Sequence, residues 1–155
     1  MKKLFVLILF SAVSLFSQTQ KDLCGSWQAA PNVAAGYDDT FTFNDDGTFY
    51  YFNNQMDCSK REVGYGGFWE LKGRSLELTV TYYDIEKGGW LEPADGSCGS
   101  DSMLVGSVIV KSFVFPYESE ILRLSNYSKE MLDETERQTI EINNRKHWYF
   151  SKFEY

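Results

Sequence analysis

The chain has 155 residues, 17% of them aromatic, and a formal charge of −7 at pH 7. A chain of this length makes one ordinary domain, which buries well over half of the surface exposed by its unfolded form. The excess of acidic residues repels nucleic acid and anionic membrane surfaces, so it argues against nucleic-acid binding.

Residues 1–17 have the pattern of a secretory signal peptide. Two lysines precede an apolar run of about 13 residues, which is too short for a relaxed transmembrane helix, and Ser17 offers a small residue at its end. We expect cleavage here, export to the periplasm or the exterior, and no stable membrane insertion of residues 18–155. Leu15 stands where a small residue is preferred before a cleavage site, so an uncleaved anchor is the alternative.

Period-two alternation of apolar and polar residues follows this segment and predicts an all-β domain. The first strand is expected at 25–29, and the next two flank a hairpin turn at Asp45-Asp46-Gly47. Val63 to Leu71 reads as a strand in which three glycines make a bulge or a sharp coil, and a tight turn at 72–74 leads into the next strand.

Ser75 to Asp84 is the clearest strand, with one face predicted to carry Leu76, Leu78, Val80 and Tyr82. We expect residues 85–102 to form a long connection, which contains Gly88-Gly89-Trp90-Leu91. Connections longer than about 12 residues are often functional, so Trp90 in this segment is a candidate lid or contact residue.

The last part of the chain predicts further strands at 104–115, closed by Pro116, and at 121–125. Ser128 to Glu136 predicts a helical turn or a polar loop. The final two strands are expected on either side of a turn at Asn143-Asn144. Together the pattern predicts a single up-and-down β-barrel of about 8–9 antiparallel strands.

Three cysteines, Cys24, Cys58 and Cys98, would enter an oxidising compartment on export, where two are expected to pair. Cys58 and Cys98 are the favoured pair because both lie in polar segments with glycine, whereas Cys24 opens a strand. The sequence alone leaves the other pairings open.

Several motifs together resemble the lipocalin-like domains of small exported proteins of Bacteroidetes-type bacteria. They are Leu23-Cys24-Gly25-Ser26-Trp27, Phe41-x-Phe43-Asn44-x-Asp46-Gly47-Thr48-Phe49, and Gly67-Phe68-Trp69-Glu70-Leu71 with Leu76-Glu77-Leu78. The resemblance covers residues 23–78 and implies a lipocalin-like barrel, with Trp27 closing its base. It departs from lipocalins proper in lacking the T-D-Y motif, and only Arg145 is placed to imitate their tryptophan-packing arginine.

Catalytic and metal signatures are weak throughout the sequence. His147 is the only histidine, and neither a haem motif nor a C-x-x-C or H-x-H zinc pair accompanies it. No G-x-S-x-G elbow is present, and residues 95–101 are the better of two poor candidate calcium loops. We therefore expect a protein without catalytic residues, metal or cofactor.

The aromatic excess predicts a ligand-binding function instead. We expect the barrel mouth to capture a small apolar or aromatic ligand, because aromatic side chains line such cavities. The candidate wall residues are Tyr50, Phe52, Tyr65, Phe113 and Phe115. The alternative is a filled barrel that contacts an envelope protein or a glycan through residues 85–102 and Trp90.

Overall fold

Eight antiparallel strands form one sheet that closes into a ring. The computed structural model describes residues 19–31, 38–54, 56–96 and 98–150, so the predicted signal peptide, residues 1–17, lies outside the described residues. The elements are a helical turn, α1 (Gln20–Leu23), and the strands β1 (Gly25–Gln28), β2 (Thr40–Phe43), β3 (Thr48–Phe52), β4 (Glu62–Lys72), β5 (Ser75–Pro93), β6 (Ser102–Leu132), β7 (Thr135–Ile142) and β8 (Arg145–Phe150).

Each strand pairs with its neighbour in the sequence, and β8 pairs with β1 to complete the barrel. This order confirms the all-β, antiparallel and closed arrangement, with eight strands. Closure gives both terminal strands, β1 and β8, two neighbours, whereas residues 102–121 of β6 pair only with β5. In the part of the chain that the structure describes, no helix has the length and apolar character needed to cross a membrane.

The hairpin turns use residues that tolerate a positive φ. Gly47 ends the turn between β2 and β3 at φ 80°, and Asp46 Oδ1 accepts hydrogen bonds from Thr48 N at 2.9 Å and Thr48 Oγ1 at 2.6 Å. Asn143 and Asn144 turn β7 into β8 at φ 50° and 65°. Asparagine and glycine favour such turns because their backbones reach this region at low cost. Both predicted turns are confirmed.

The glycines of β4 allow the sheet to coil. Register shifts lie between Glu62 and Gly64 and between Gly66 and Gly67, which confirms the predicted bulges. A Cβ atom at Gly67 would collide with the carbonyl oxygen of Thr79 on β5, so the two backbones approach there more closely than any side chain permits. Such coiling is what a small barrel needs to close.

The predicted loop at 85–102 is wrong over most of its length. Residues 82–93 of β5 pair with 102–113 of β6 and form a long hairpin, here called the distal hairpin, so that only residues 94–101 connect the strands. Gly88 and Gly89 suggested a loop, but they take φ 74° and 68° within the ladder, and Trp90 pairs with Val105 just beyond them. Paired glycines at positive φ distort a ladder without ending it.

The predicted break at Pro116 is also wrong, since β6 runs through it. Val80 pairs with Glu118 and Tyr82 pairs with Phe113, so residues 114–117 lie in a bulge where a missing N–H costs no ladder bond. In the ladder with β4, Val80 pairs with Gly67 and Tyr82 pairs with Gly66, so Thr81 is an extra residue in β5. As a result Tyr82 leaves the face that carries Val80, in contrast to the prediction.

The segment from Ser128 to Glu136 contains no helical turn. It is the end of β6 and the start of β7, joined at Asp133 and Glu134, which have φ 48° and 65°. The ladder continues up to the pair Leu132 and Thr135. The segment is polar because its side chains face solvent, and polarity alone does not separate an exposed hairpin from a loop.

The apolar core fills one end of the barrel. Trp27 is fully buried, and its Nε1 donates a hydrogen bond to the carbonyl oxygen of Leu23 at 2.8 Å. The helical turn α1 therefore covers this end. The other core residues are Leu23, Phe41, Phe43, Phe49, Trp69, Leu76, Leu78, Val80, Leu122, Leu124, Ile140 and Ile142.

Candidate functional site

A row of aromatic rings lies on the core-facing side of the sheet, beyond the packed end. Phe41 on β2, Tyr51 on β3, Tyr65 on β4 and Tyr83 on β5 are cross-strand neighbours in register. Successive ring centroids are 4.6, 4.9 and 5.7 Å apart. Aromatic pairs at such distances attract each other beyond their burial, so the three tyrosines, here called the tyrosine row, form a continuous wall.

Carboxylates accept hydrogen bonds from this row. Tyr65 Oη donates to Glu120 Oε2 at 3.1 Å, and Tyr83 Oη donates to Glu118 Oε2 at 2.7 Å. Burial, and then the charge of Glu120, raise the pKa of Tyr65 well above its usual value. The hydrogen bond to Glu118, followed by burial, raises the pKa of Tyr83 to about 12. Both hydroxyls are therefore protonated donors at neutral pH.

Tyr51 lies beside a charged cluster at the rim. Burial, and then the nearby charge of Asp39, raise the pKa of Tyr51. Arg145 NH1 lies 2.5 Å from Asp39 Oδ2, and its NH2 lies 3.5 Å from Asp38 Oδ1. Burial alone would raise the pKa of Asp39, but hydrogen bonds from Asn54 and Arg145 outweigh it, so the pKa is lowered. Arg145, compared above with the lipocalin arginine, thus serves an ion pair.

His147 presents a hydrogen-bond acceptor to the interior. Its side chain is only 3% exposed, and its Nδ1 lies 2.8 Å from the carbonyl oxygen of Arg145. A carbonyl oxygen only accepts, so Nδ1 carries the proton and Nε2 has a lone pair. Burial lowers the pKa of His147, which keeps the ring neutral at pH 7. Among the described residues, none donates a hydrogen bond to Nε2.

These groups surround a cavity of about 300 Å³ at the open end of the barrel, here called the mouth cavity. Its lining combines three aromatic rings with two aliphatic side chains and with polar side chains. The lining residues are Asp39, Phe41, Tyr51, Tyr65, Glu120, Leu122, Ile142, Asn143, Arg145 and His147.

The five predicted wall residues do not share one cavity. Tyr65 lines the mouth cavity, whereas Tyr50 and Phe52 lie on the opposite face of the sheet, because they alternate with Tyr51 along β3. Phe113 and Phe115 are 77% and 90% exposed on β6. The expected common wall is therefore not formed.

Tyr50 and Phe52 line a second depression, the outer groove, of about 520 Å³. The Tyr50 ring lies over Gly64, in space that a side chain at that position would occupy. The other lining residues are Thr42, Asn44, Val63, Asp84 and Ile109.

Trp90 lies on a strand of the distal hairpin and is 58% exposed, with Nε1 donating to Glu92 Oε1 at 2.6 Å. The structure contains a disulfide between Cys58 and Cys98, the pair that the sequence favoured, with Cα atoms 5.9 Å apart. Cys24 lies outside this bridge. The disulfide fastens the tip of the hairpin to the connection between β3 and β4.

No cluster of three or more histidine, cysteine, aspartate or glutamate side chains able to hold a metal ion occurs in the described ranges. Comparison with protein-family models, curated proteins and solved structures finds no match to this chain. Inference about function therefore depends on the geometry of the cavity and its surroundings.

The stability of the protein should fall as pH drops below about 6.5, because of His147. Its folded pKa is below that of the unfolded chain, so the unfolded state takes up the proton first, and each unit of difference costs about 1.4 kcal/mol at low pH. Urea denaturation at pH 8, 7, 6 and 5 measures this loss. In H147Q the free energy of unfolding should depend less on pH in this range. The same dependence in H147Q as in the wild type would contradict the assignment of the loss to His147.

Asp39 provides a separate signal at lower pH. Its folded pKa is also lowered, so its contribution to stability is present above about pH 3.8 and is lost only as pH falls further. The two losses therefore occupy different pH ranges, and measurements between pH 8 and 5 report on His147.

Proposed function

We propose that the chain is an exported lipocalin-like barrel that binds a small, largely aromatic ligand in the mouth cavity, without catalysis. The observation that carries the proposal is the cavity itself, which joins an aromatic wall to a few fixed polar groups. Its volume of about 300 Å³ lies at the lower end of the range for small-molecule sites.

Each side of the cavity has a role in the proposed binding. The rings of Tyr51 and Tyr65 stack on a flat ligand, while Leu122 and Ile142 cover its inner edge. The hydroxyl of Tyr65 is held by Glu120, and Arg145 is held by its two aspartates. Binding therefore requires little ordering of side chains, which favours affinity.

Export is part of the proposal, and the disulfide supports it. Structural disulfides persist in oxidising compartments and are rare in a reducing cytosol. The bridge between Cys58 and Cys98 joins segments that are 40 residues apart in sequence. The basic and apolar pattern of residues 1–17 agrees with secretion.

The ligand proposal is tested by comparing Tyr51→Ala with Tyr50→Ala. The two side chains are adjacent in sequence but face opposite sides of the sheet, so they form a matched pair. Native mass spectrometry of the protein exported by its own host should show a bound small molecule. Because Y51A removes one of the aromatic rings that line the mouth cavity, its affinity for the bound molecule should fall about tenfold, whereas the affinity of Y50A should be unchanged.

Two results would contradict the proposal. A bound mass lost in Y50A and kept in Y51A would move the site to the outer groove. The ligand-binding function would be excluded if the wild-type protein carries no small molecule and if the nuclear magnetic resonance signals of the residues lining the mouth cavity do not shift when simple aromatic compounds are added. Tyr51→Phe, which keeps the ring, separates loss of the wall from loss of stability.

The second candidate function is contact with an envelope protein or a glycan through the distal hairpin. Five of its apolar side chains are more than half exposed: Trp90 at 58%, Leu91 at 57%, Val108 at 62%, Ile109 at 61% and Phe113 at 77%. Exposed apolar side chains in one element favour interaction sites. Trp90→Ala distinguishes the two functions, because it should weaken such a contact but leave a ligand in the mouth cavity.

A further inference from the structure

We infer that the mouth cavity selects ligands that carry a positive charge, specifically small aromatic amines, an inference that rests on the proposed function. The charges around the cavity are unbalanced. Asp38 and Asp39 share the single guanidinium of Arg145, which neutralises part of their charge. Glu118 and Glu120 accept hydrogen bonds from neutral tyrosine hydroxyls and have no ion pair within the described residues.

Glu120 is the best placed of these carboxylates to meet a ligand. It lines the mouth cavity and is partly buried, and its Oε2 accepts the hydrogen bond from Tyr65. No described residue donates to its Oε1. A carboxylate in a half-apolar cavity is stabilised by a cationic partner, and an ammonium group supplies both charge and donors.

The other polar atoms of the cavity also favour a ligand that donates hydrogen bonds. His147 Nε2 is an acceptor inside the barrel, as described above, and its side chain is almost fully buried. The hydroxyl of Tyr65 already donates to a carboxylate. Asn143 Oδ1 accepts from the backbone of Arg123, which leaves the Asn143 amide as a neutral donor at the rim. A ligand rich in donors therefore satisfies the inner part of the cavity, and an anionic ligand does not.

The aromatic wall adds to this preference. The face of a tyrosine ring carries negative potential, so it attracts a cation placed within about 6 Å of its centre. Tyr51 and Tyr65 line the cavity together with Glu120, which accepts the hydrogen bond from Tyr65. An aromatic amine would stack its ring on this wall and direct its ammonium group to Glu120 and His147.

Three probes of matched shape test the inference: 2-phenylethylamine, 2-phenylethanol and 3-phenylpropanoate. They share one ring and a short chain but differ in charge. In nuclear magnetic resonance titrations of the exported protein at pH 7 and low salt, the amine should bind at least tenfold more tightly than the alcohol. The propanoate should bind more weakly than either, because the carboxylates repel it.

The outcomes separate this inference from the proposed function. Equal affinities for the three probes, with shifts at Tyr51 and Tyr65, would overturn the charge preference and leave the ligand-binding proposal standing. Tighter binding of the propanoate would also overturn the preference. Absence of shifts in the cavity with every probe would overturn the charge preference, and together with the absence of a bound small molecule it would also overturn the ligand-binding proposal.

Glu120→Gln is the decisive variant, because it removes the charge and keeps an oxygen that accepts from Tyr65. Affinity for the amine should fall about tenfold, and affinity for the alcohol should be unchanged. The matched control is Glu77→Gln, which removes a carboxylate that pairs with Lys72 elsewhere on the barrel. An equal loss of amine affinity in E77Q would show an effect of net charge and would overturn the assignment to Glu120.

Discussion

Replacement of both disulfide cysteines, in C58S/C98S, is expected to lower the free energy of unfolding by about 4 kcal/mol. The bridge closes a loop with a sequence separation of 40, and the chain-entropy model assigns a cross-link of this span about that value. The effect should be large because the bridge lowers the conformational entropy of the unfolded chain. Urea denaturation of the oxidised wild type and the double variant measures it.

The control for this experiment is Cys24→Ser, which removes a thiol outside the bridge and should cost less than about 1 kcal/mol. Amide exchange provides a local readout. Gly99 N donates to Met56 O at 2.7 Å and Leu104 N donates to Cys58 O at 2.8 Å, and both amides should exchange faster in the double variant. Unchanged exchange together with unchanged stability would show that the hairpin is held by other contacts.

Trp27→Ala is expected to destabilise the protein by about 3–5 kcal/mol, because it opens a cavity at the centre of the packed end. The side chain is completely buried, and its ring lies 5.2 Å from the ring of Tyr149 and 6.3 Å from that of Tyr127. The variant also leaves the carbonyl oxygen of Leu23 without its donor. Thermal and urea denaturation with circular dichroism give the free energy of unfolding.

Two further variants divide this loss into its parts. Trp27→Phe keeps most of the ring and removes the hydrogen bond, so it should cost less than Trp27→Ala. Phe68→Ala is the control for a large aromatic residue at the surface, since Phe68 is 56% exposed, and it should cost less than about 1 kcal/mol. Equal destabilisation by W27A and F68A would contradict the packing described for this end.

The sequence predicts the barrel well because alternation and turn residues are local signals. The turns at Asp46-Gly47 and Asn143-Asn144 depend on backbone conformations that few residues accept, so they mark strand ends directly. Ile140 and Ile142 alternate with polar residues, and both side chains are buried. These signals need no knowledge of the neighbouring strand.

The candidate site is harder to predict because the two faces of its strands do not differ clearly in how apolar their residues are. Residues 49–52 are all aromatic, so the pattern does not show whether Tyr50 or Tyr51 faces the interior. In β6, Glu118 and Glu120 read as surface residues, although they face the tyrosine row. Only the register with neighbouring strands assigns these side chains to a face.

The distal hairpin shows a second limit of sequence patterns. A pair of glycines such as Gly88-Gly89 is typical of a loop, yet the ladder between β5 and β6 continues past them to Pro93. The pairing is a long-range interaction between β5 and β6 that overrides the local preference of the two glycines. Pro116 likewise lies in a bulge that no local signal marks.

The extra residue at Thr81 has a consequence for how strands like β5 change during evolution. Before it, alternate side chains from Leu76 to Val80 enter the core, and after it the inward position passes to Tyr83. Removal of this one residue would turn every side chain beyond it to the opposite side and take Tyr83 out of the interior. We therefore expect the number of residues at Thr81 to matter more for the fold than the identity of the residue there.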